Sequence, residues 1–142
     1  MKYPTTLLLL LLPLLFLPGC GGEKTARDGP IDPMKDKGVG PIKSVTLGPI
    51  DDALAAKGSE IYQAKCTACH KADKRFIGPA PIGILERRTP EWVMNMILNP
   101  EVMIQKNAQA RQLLMEYTAP MANQNLTQDE ARAVLEYFRT LK

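Results

Sequence analysis

Three side chains within five residues, Cys66, Cys69 and His70, carry the most specific chemistry in this chain. They stand in the string Cys66-Thr67-Ala68-Cys69-His70, the C-x-x-C-H spacing of c-type haem attachment. Two thiols three positions apart on a helical turn can add to the two vinyl groups of one porphyrin. The adjoining imidazole then reaches the iron as proximal ligand. Two other chemistries use a C-x-x-C pair. A zinc site wants four protein ligands, whereas this chain has three Cys and one His, with the third Cys at position 20. A thiol-disulfide pair belongs in a βαβ setting, and the residues before Cys66 read as helix. One covalent haem c is the expectation, and a redox dithiol is the alternative.

His70 is the one histidine, so a second imidazole cannot come from the same molecule. A neutral thioether is then the expected sixth ligand of a low-spin iron. Met94, Met96, Met103 and Met115 fall on predicted helices, where methionine usually fills core. Met121 follows Pro120 in an irregular stretch that could bring sulfur to the metal. Met121 is therefore favoured, with Met115 and Met103 as alternatives. Trp92 is a candidate donor to a haem propionate, because a buried indole N–H usually finds an acceptor. A plain core aromatic is the other reading of Trp92.

These residues need helices to hold them. Asp51 can cap a helix over about 52 to 66, with Leu54, Gly58, Ile61, Tyr62 and Lys65 on one face. Gly58 inside it costs about 1 kcal/mol relative to Ala, which points to a close helix crossing. The crossing partner is the last helix. It opens with the capping box Thr127-x-x-Glu130 and continues with an apolar stripe of Ala131, Val134, Leu135, Phe138 and Leu141. Thr89-Pro90-Glu91 opens a third helix, to about Asn99. Asn99-Pro100-Glu101 repeats that signature for a short helix to about 105, and another covers roughly 107 to 117. No stretch alternates with period two, so the fold class is all-α: four to five short helices around one covalent haem.

The chain has 142 residues, enough for one domain. With 18 basic and 15 acidic side chains it carries no nucleic-acid footprint. Lys2, the apolar run Leu7 to Leu17 and Leu17-Pro18-Gly19-Cys20 read as an export leader over residues 1–19, too short to span a bilayer. Its end resembles the lipobox of bacterial lipoproteins, which implies lipid on Cys20. An ordinary signal peptide with a stray cysteine is the alternative. Residues 20–50 are rich in Gly and Pro, which suits a lipidated N-terminus and flexible linker. The folded domain is expected over 51–142. Both address readings place the protein on the periplasmic side of a bacterial membrane, lipid-anchored in the first case.

Gly58-x-x-Ile61-Tyr62-x-x-x-Cys66-x-x-Cys69-His70, then Gly78-Pro79, then Pro120-Met121 before Leu126-Thr127 and the aromatic terminal helix, resembles the class I monohaem cytochromes c. The resemblance covers about residues 52 to 141. It implies thioether bonds at Cys66 and Cys69, with His70 and Met121 as axial ligands. It also implies a Pro79 carbonyl bonded to the other ring nitrogen of His70, and a crossing of Gly58 and Tyr62 with Val134 and Tyr137. Pro81 departs from the family pattern, which more often has leucine against the haem; Ile82 or Ile84 is expected to fill that place. Arg87-Arg88-Thr89-Pro90-Glu91-Trp92, Asn95-Met96-Ile97 and Met121-Ala122-Asn123-Gln124-Asn125-Leu126 are similar to the lipoprotein cytochromes that accompany bacterial nitrous oxide reductase.

With two strong axial ligands and no open position, such a site trades electrons and has no small-molecule substrate. The expected function is one-electron transfer at a membrane, from a quinol-oxidising complex to a terminal reductase or oxidase, nitrous oxide reductase among them. The rival functions are a haem enzyme or gas sensor with a labile sixth ligand, and a thiol-disulfide oxidoreductase. Lys65, Lys71, Lys74, Arg75, Arg87 and Arg88 surround the motif and suit an acidic redox partner.

Overall fold

A computed structural model describes residues 32–142, which form five α-helices and a short 3-10 helix with no strand among them. The helices are α1 (Asp52–Lys65), α2 (Pro90–Leu98), α3 (Pro100–Lys106), α4 (Ala108–Tyr117) and α5 (Gln128–Thr140); the 3-10 helix is Ile84–Glu86. The leader, Cys20 and the first part of the expected linker lie outside the described residues. No described helix is long and apolar enough to cross a membrane.

Four of the five helix starts are set by a side chain that accepts an otherwise orphaned backbone N–H. Asp51 accepts from Leu54 (3.0 Å), Thr89 from Trp92 (3.1 Å), Asn107 from Ala110 (2.9 Å) and Thr127 from Glu130 (3.2 Å). Glu130 completes a capping box by accepting from the Thr127 backbone. Asn99 departs from the expected pattern: its side chain makes no cap bond and instead donates to the Val39 carbonyl (3.4 Å).

α1 and α5 cross where Gly58 meets Ala133. A β-carbon on Gly58 would stand 1.9 Å from the Ala133 carbonyl oxygen, so only glycine allows these two backbones to touch. Beside the crossing, Tyr62 packs on Tyr137 and edge-on against Phe138, with ring centroids 5.3 and 5.7 Å away. The core continues through Ala131, Val134 and Leu135 of α5 to Trp92, Val93, Met94 and Ile97 of α2.

The flexible linker expected through residue 50 is corrected over residues 36–48, which form a strap packed on α2, α3 and α5. Ile42 is in the core, and its N–H and carbonyl both bond the side-chain amide of Asn95 at 2.9 Å. The same amide donates to the Lys37 carbonyl (2.9 Å). Val39 N–H lies 3.0 Å from the sulfur of the fully buried Met103, and Asn107 donates to the Asp36 carboxylate (2.7 Å). Gly38 and Gly40 permit this closeness, since β-carbons there would meet Met103 at 2.8 Å and Asn95 at 2.3 Å. The backbone groups of Lys37 and Ile42 are satisfied by a helix side chain more than fifty residues away in sequence. Composition alone could not reveal those partners.

Candidate functional site

Cys66 is the residue on which α1 ends, its N–H bonded to the Tyr62 carbonyl. The turn continues with Cys69 N–H and His70 N–H both on the Cys66 carbonyl (3.1 and 2.9 Å). One backbone oxygen therefore fixes the spacing of both thiols and the imidazole. Gly78 closes the other side of the ring: its N–H bonds the Cys69 carbonyl (2.8 Å), and a β-carbon there would sit 2.4 Å from Cε1 of His70. Next to it, the Pro79 carbonyl oxygen is 2.8 Å from Nδ1 of His70. A carbonyl only accepts, so Nδ1 carries the proton and Nε2 keeps its lone pair for a metal.

These groups face a cavity of about 480 Å³. Its wall takes in Cys66, Cys69, His70 and Pro79, the α2 residues Trp92, Val93, Met96 and Ile97, and the loop from Ala119 to Ala122 with Met121. Met121 is half-buried and shares this cavity with His70. The alternatives fare differently. Met103 is buried beneath the strap and Met115 is 73 % exposed, and neither lines the cavity. Met96 does line it, although its helix position reads as core filler. Pro81 is buried and lines the wall together with Ile84, whereas Ile82 does not.

Trp92 requires a correction. Its ring lines the cavity, but its indole N–H donates to Asn107 Oδ1 (3.2 Å), so the group expected to reach a propionate is engaged elsewhere. Two other polar atoms at the cavity lack a bond: the Tyr62 hydroxyl and Nε of Arg88. Arg88 lies over the Trp92 ring, 5.1 Å from its centroid, and sequence reasoning saw it only as part of a charged rim. Burial of the Tyr62 hydroxyl, reinforced by Cys66 and Tyr137, pushes its pKa up to about 12, so it stays protonated.

The charged rim is partly committed within the molecule. Lys71 donates to the Thr67 carbonyl (3.0 Å) and lies over Phe76. Arg87 holds the carbonyls of Ala80 and Ile82.

The dithiol alternative meets two physical obstacles. Burial raises the Cys66 thiol above its usual range, and Lys65 only partly opposes this. The pair also follows the C-terminus of α1, where the helix dipole disfavours a thiolate. A neutral thioether suffers neither penalty. Free thiols at a cavity wall, an imidazole with Nε2 available, a thioether in the same cavity, and an unbonded guanidinium Nε together fit a covalent haem with its carboxylates.

Fold and site define a class, an all-α domain built around one covalently attached haem. The chain belongs to the cytochrome c family, whose profile matches residues 55–142. Proteins of this family carry covalent haem c, transfer electrons with redox partners and are typically exported. Among solved structures, the chain is similar to a cytochrome c from Rhodothermus marinus: 48 % identity, 70 % of this chain and 87 % of that one covered, TM-score 0.69. An engineered form of that cytochrome, named Rma TDE, matches at 46 % identity over 70 % and 88 %, TM-score 0.68. The engineered form bound to a carbene intermediate matches at 48 % identity over the same shares, TM-score 0.65. No curated protein matches.

Proposed function

We propose that this chain is a membrane-tethered one-electron carrier. Cys66 and Cys69 hold the haem, and His70 and Met121 ligate its iron. Pro79 orients the imidazole, while the unbonded Nε of Arg88 offers a haem carboxylate a donor. The observation that carries this reading is the pairing of His70, with Nε2 left free by the Pro79 bond, and Met121 in one cavity. The bound iron supplies a one-electron couple, and thioether ligation raises its potential relative to two imidazoles.

The chain's own part is to keep the couple stable and dry. The Pro79 carbonyl makes the imidazole more electron-rich. The apolar wall from Val93, Ile97, Leu126 and Val134 excludes water from the iron and favours the less charged ferrous state. Lipid on Cys20 anchors the domain to the periplasmic side of a membrane. The carrier there runs from a quinol-oxidising complex to a terminal reductase or oxidase, with nitrous oxide reductase as a proposed acceptor.

Met121→Ala tests the ligand set. Ferric wild type is expected to show the weak near-infrared band of sulfur-ligated iron, and the variant to lose it. A band that survives in Met121→Ala moves the ligand elsewhere. Carbon monoxide bound rapidly by ferrous wild type would instead favour a haem enzyme or gas sensor, a reading supported by the engineered relative that holds a carbene.

A further inference from the structure

The loop that contains Met121 is bounded by two non-glycine residues with left-handed backbone, Thr118 (φ 54°) and Asn125 (φ 53°). Such conformations persist only where the surroundings enforce them. At its far end the loop is held by buried Leu126 and by Asn123, which donates to the Leu98 carbonyl at 3.4 Å. At its near end the hold comes from Arg75, which lies in the segment between His70 and Pro79. The Arg75 guanidinium donates to the Glu116 carboxylate (2.9 Å) and to the Glu116 carbonyl (3.0 Å). Its central carbon stands 4.1 Å from the Tyr117 ring centroid. Glu116 and Tyr117 immediately precede Thr118. Among the described residues these hydrogen bonds tie the segment of the attachment motif to the segment of Met121.

We propose that Arg75 is a positioning residue, a clamp across the haem crevice that sets how readily an external ligand displaces Met121 from the iron. The proposal rests on Met121 being the sixth ligand. A planar fork that meets one carboxylate, one carbonyl and one aromatic face is a task for arginine, and lysine offers no such fork. The site is exposed, with about half of each side chain's surface in solvent (57 % for Arg75, 48 % for Glu116). Salt therefore weakens the carboxylate arm of the clamp. The clamp slows loop opening without changing which ligand the closed loop presents.

The test is stopped-flow binding of neutral imidazole to the ferric holoprotein, at a pH above the pKa of free imidazole so that loss of the Arg75 charge does not alter encounter. At saturating imidazole the rate reports loop opening. Arg75→Ala is expected to raise it roughly five- to tenfold, with the near-infrared band still present before imidazole is added. Arg75→Lys should resemble Arg75→Ala. Glu116→Gln should give a smaller rise, and the double variant should match Arg75→Ala. Added salt should speed the wild type but not Arg75→Ala, and amide exchange over 118–125 should quicken in Arg75→Ala.

An Arg75→Ala rate equal to wild type, or effects of Arg75 and Glu116 that simply add, overturns the clamp. Retention of the band in Met121→Ala overturns the ligand assignment instead, so the two failures are told apart.

Discussion

His70 and Gly78 are in such close contact that a β-carbon on the glycine would stand 2.4 Å from Cε1 and 2.8 Å from Nδ1 of the imidazole. The glycine thus acts as a flat wall that presses the ring toward the Pro79 carbonyl. Gly78→Ala is expected to push the ring aside, lengthen the Nδ1 bond and lower holoprotein stability by about 1–3 kcal/mol, the usual cost of overpacking. Urea melts of the haem-loaded variant check this, together with a reduction potential displaced from that of the wild type. An unchanged potential would mean the ring is held by the iron alone.

The crossing of α1 and α5 gives a sharper case. The obstacle to a Gly58 side chain is the Ala133 carbonyl at 1.9 Å, which is backbone and cannot swing away. Gly58→Ala should therefore destabilise the protein by at least about 2 kcal/mol, although alanine is the better helix former in isolation. A urea midpoint at or above that of the wild type would show that the helices separate at little cost.

Glu136 of α5 is fully buried and accepts from the Asp51 backbone N–H (3.0 Å), Arg139 (2.6 Å) and Arg132. Burial alone would raise its pKa; the backbone bond and the two guanidinium groups outweigh this and hold it at about 2. The folded value is lower than that of an unfolded glutamate, about 4.3, so its stabilisation is present above that pH and is lost as pH falls toward 2. Glu136→Gln should cost about 2 kcal/mol at neutral pH. The gap from wild type should narrow below about pH 4. Urea melts of both proteins across that range provide the check.

Asn95 closes the strap by pairing with Ile42 as a neighbouring strand would. Asn95→Leu leaves the Ile42 N–H and the Ile42 and Lys37 carbonyls without these partners. A loss of about 2–3 kcal/mol is expected, since buried unpaired backbone groups cost 1–3 kcal/mol apiece and part of the strap can rehydrate. Limited proteolysis should then cut within residues 36–48 while the haem spectrum stays unchanged. Resistance equal to wild type would mean that Ile42 burial alone holds the strap.

Much of the helical frame was legible because its signals are local. Asp51, Thr89 and Thr127 each cap a backbone N–H three residues on, and such bonds need no knowledge of the rest of the chain. Asn99 carries the same signature and does not cap, because its amide is drawn to Val39, sixty residues earlier. Trp92 illustrates the same limit. That its N–H would find an acceptor could be reasoned from its type; that the acceptor would be Asn107 depended on how the junction of α3 and α4 lies against α2.

What residue order determined by itself is the covalent cofactor and the frame of capped helices, since both depend on groups within one or two helical turns of each other. Tertiary structure decided that Met121 and Met96, and neither Met103 nor Met115, share a cavity with His70, that residues 36–48 are packed rather than free, and that Arg75 reaches across to Glu116. Those outcomes turn on side chains that meet from distant parts of the chain. Close packing decides such meetings by shape and unsatisfied hydrogen bonds, which no short stretch of sequence contains.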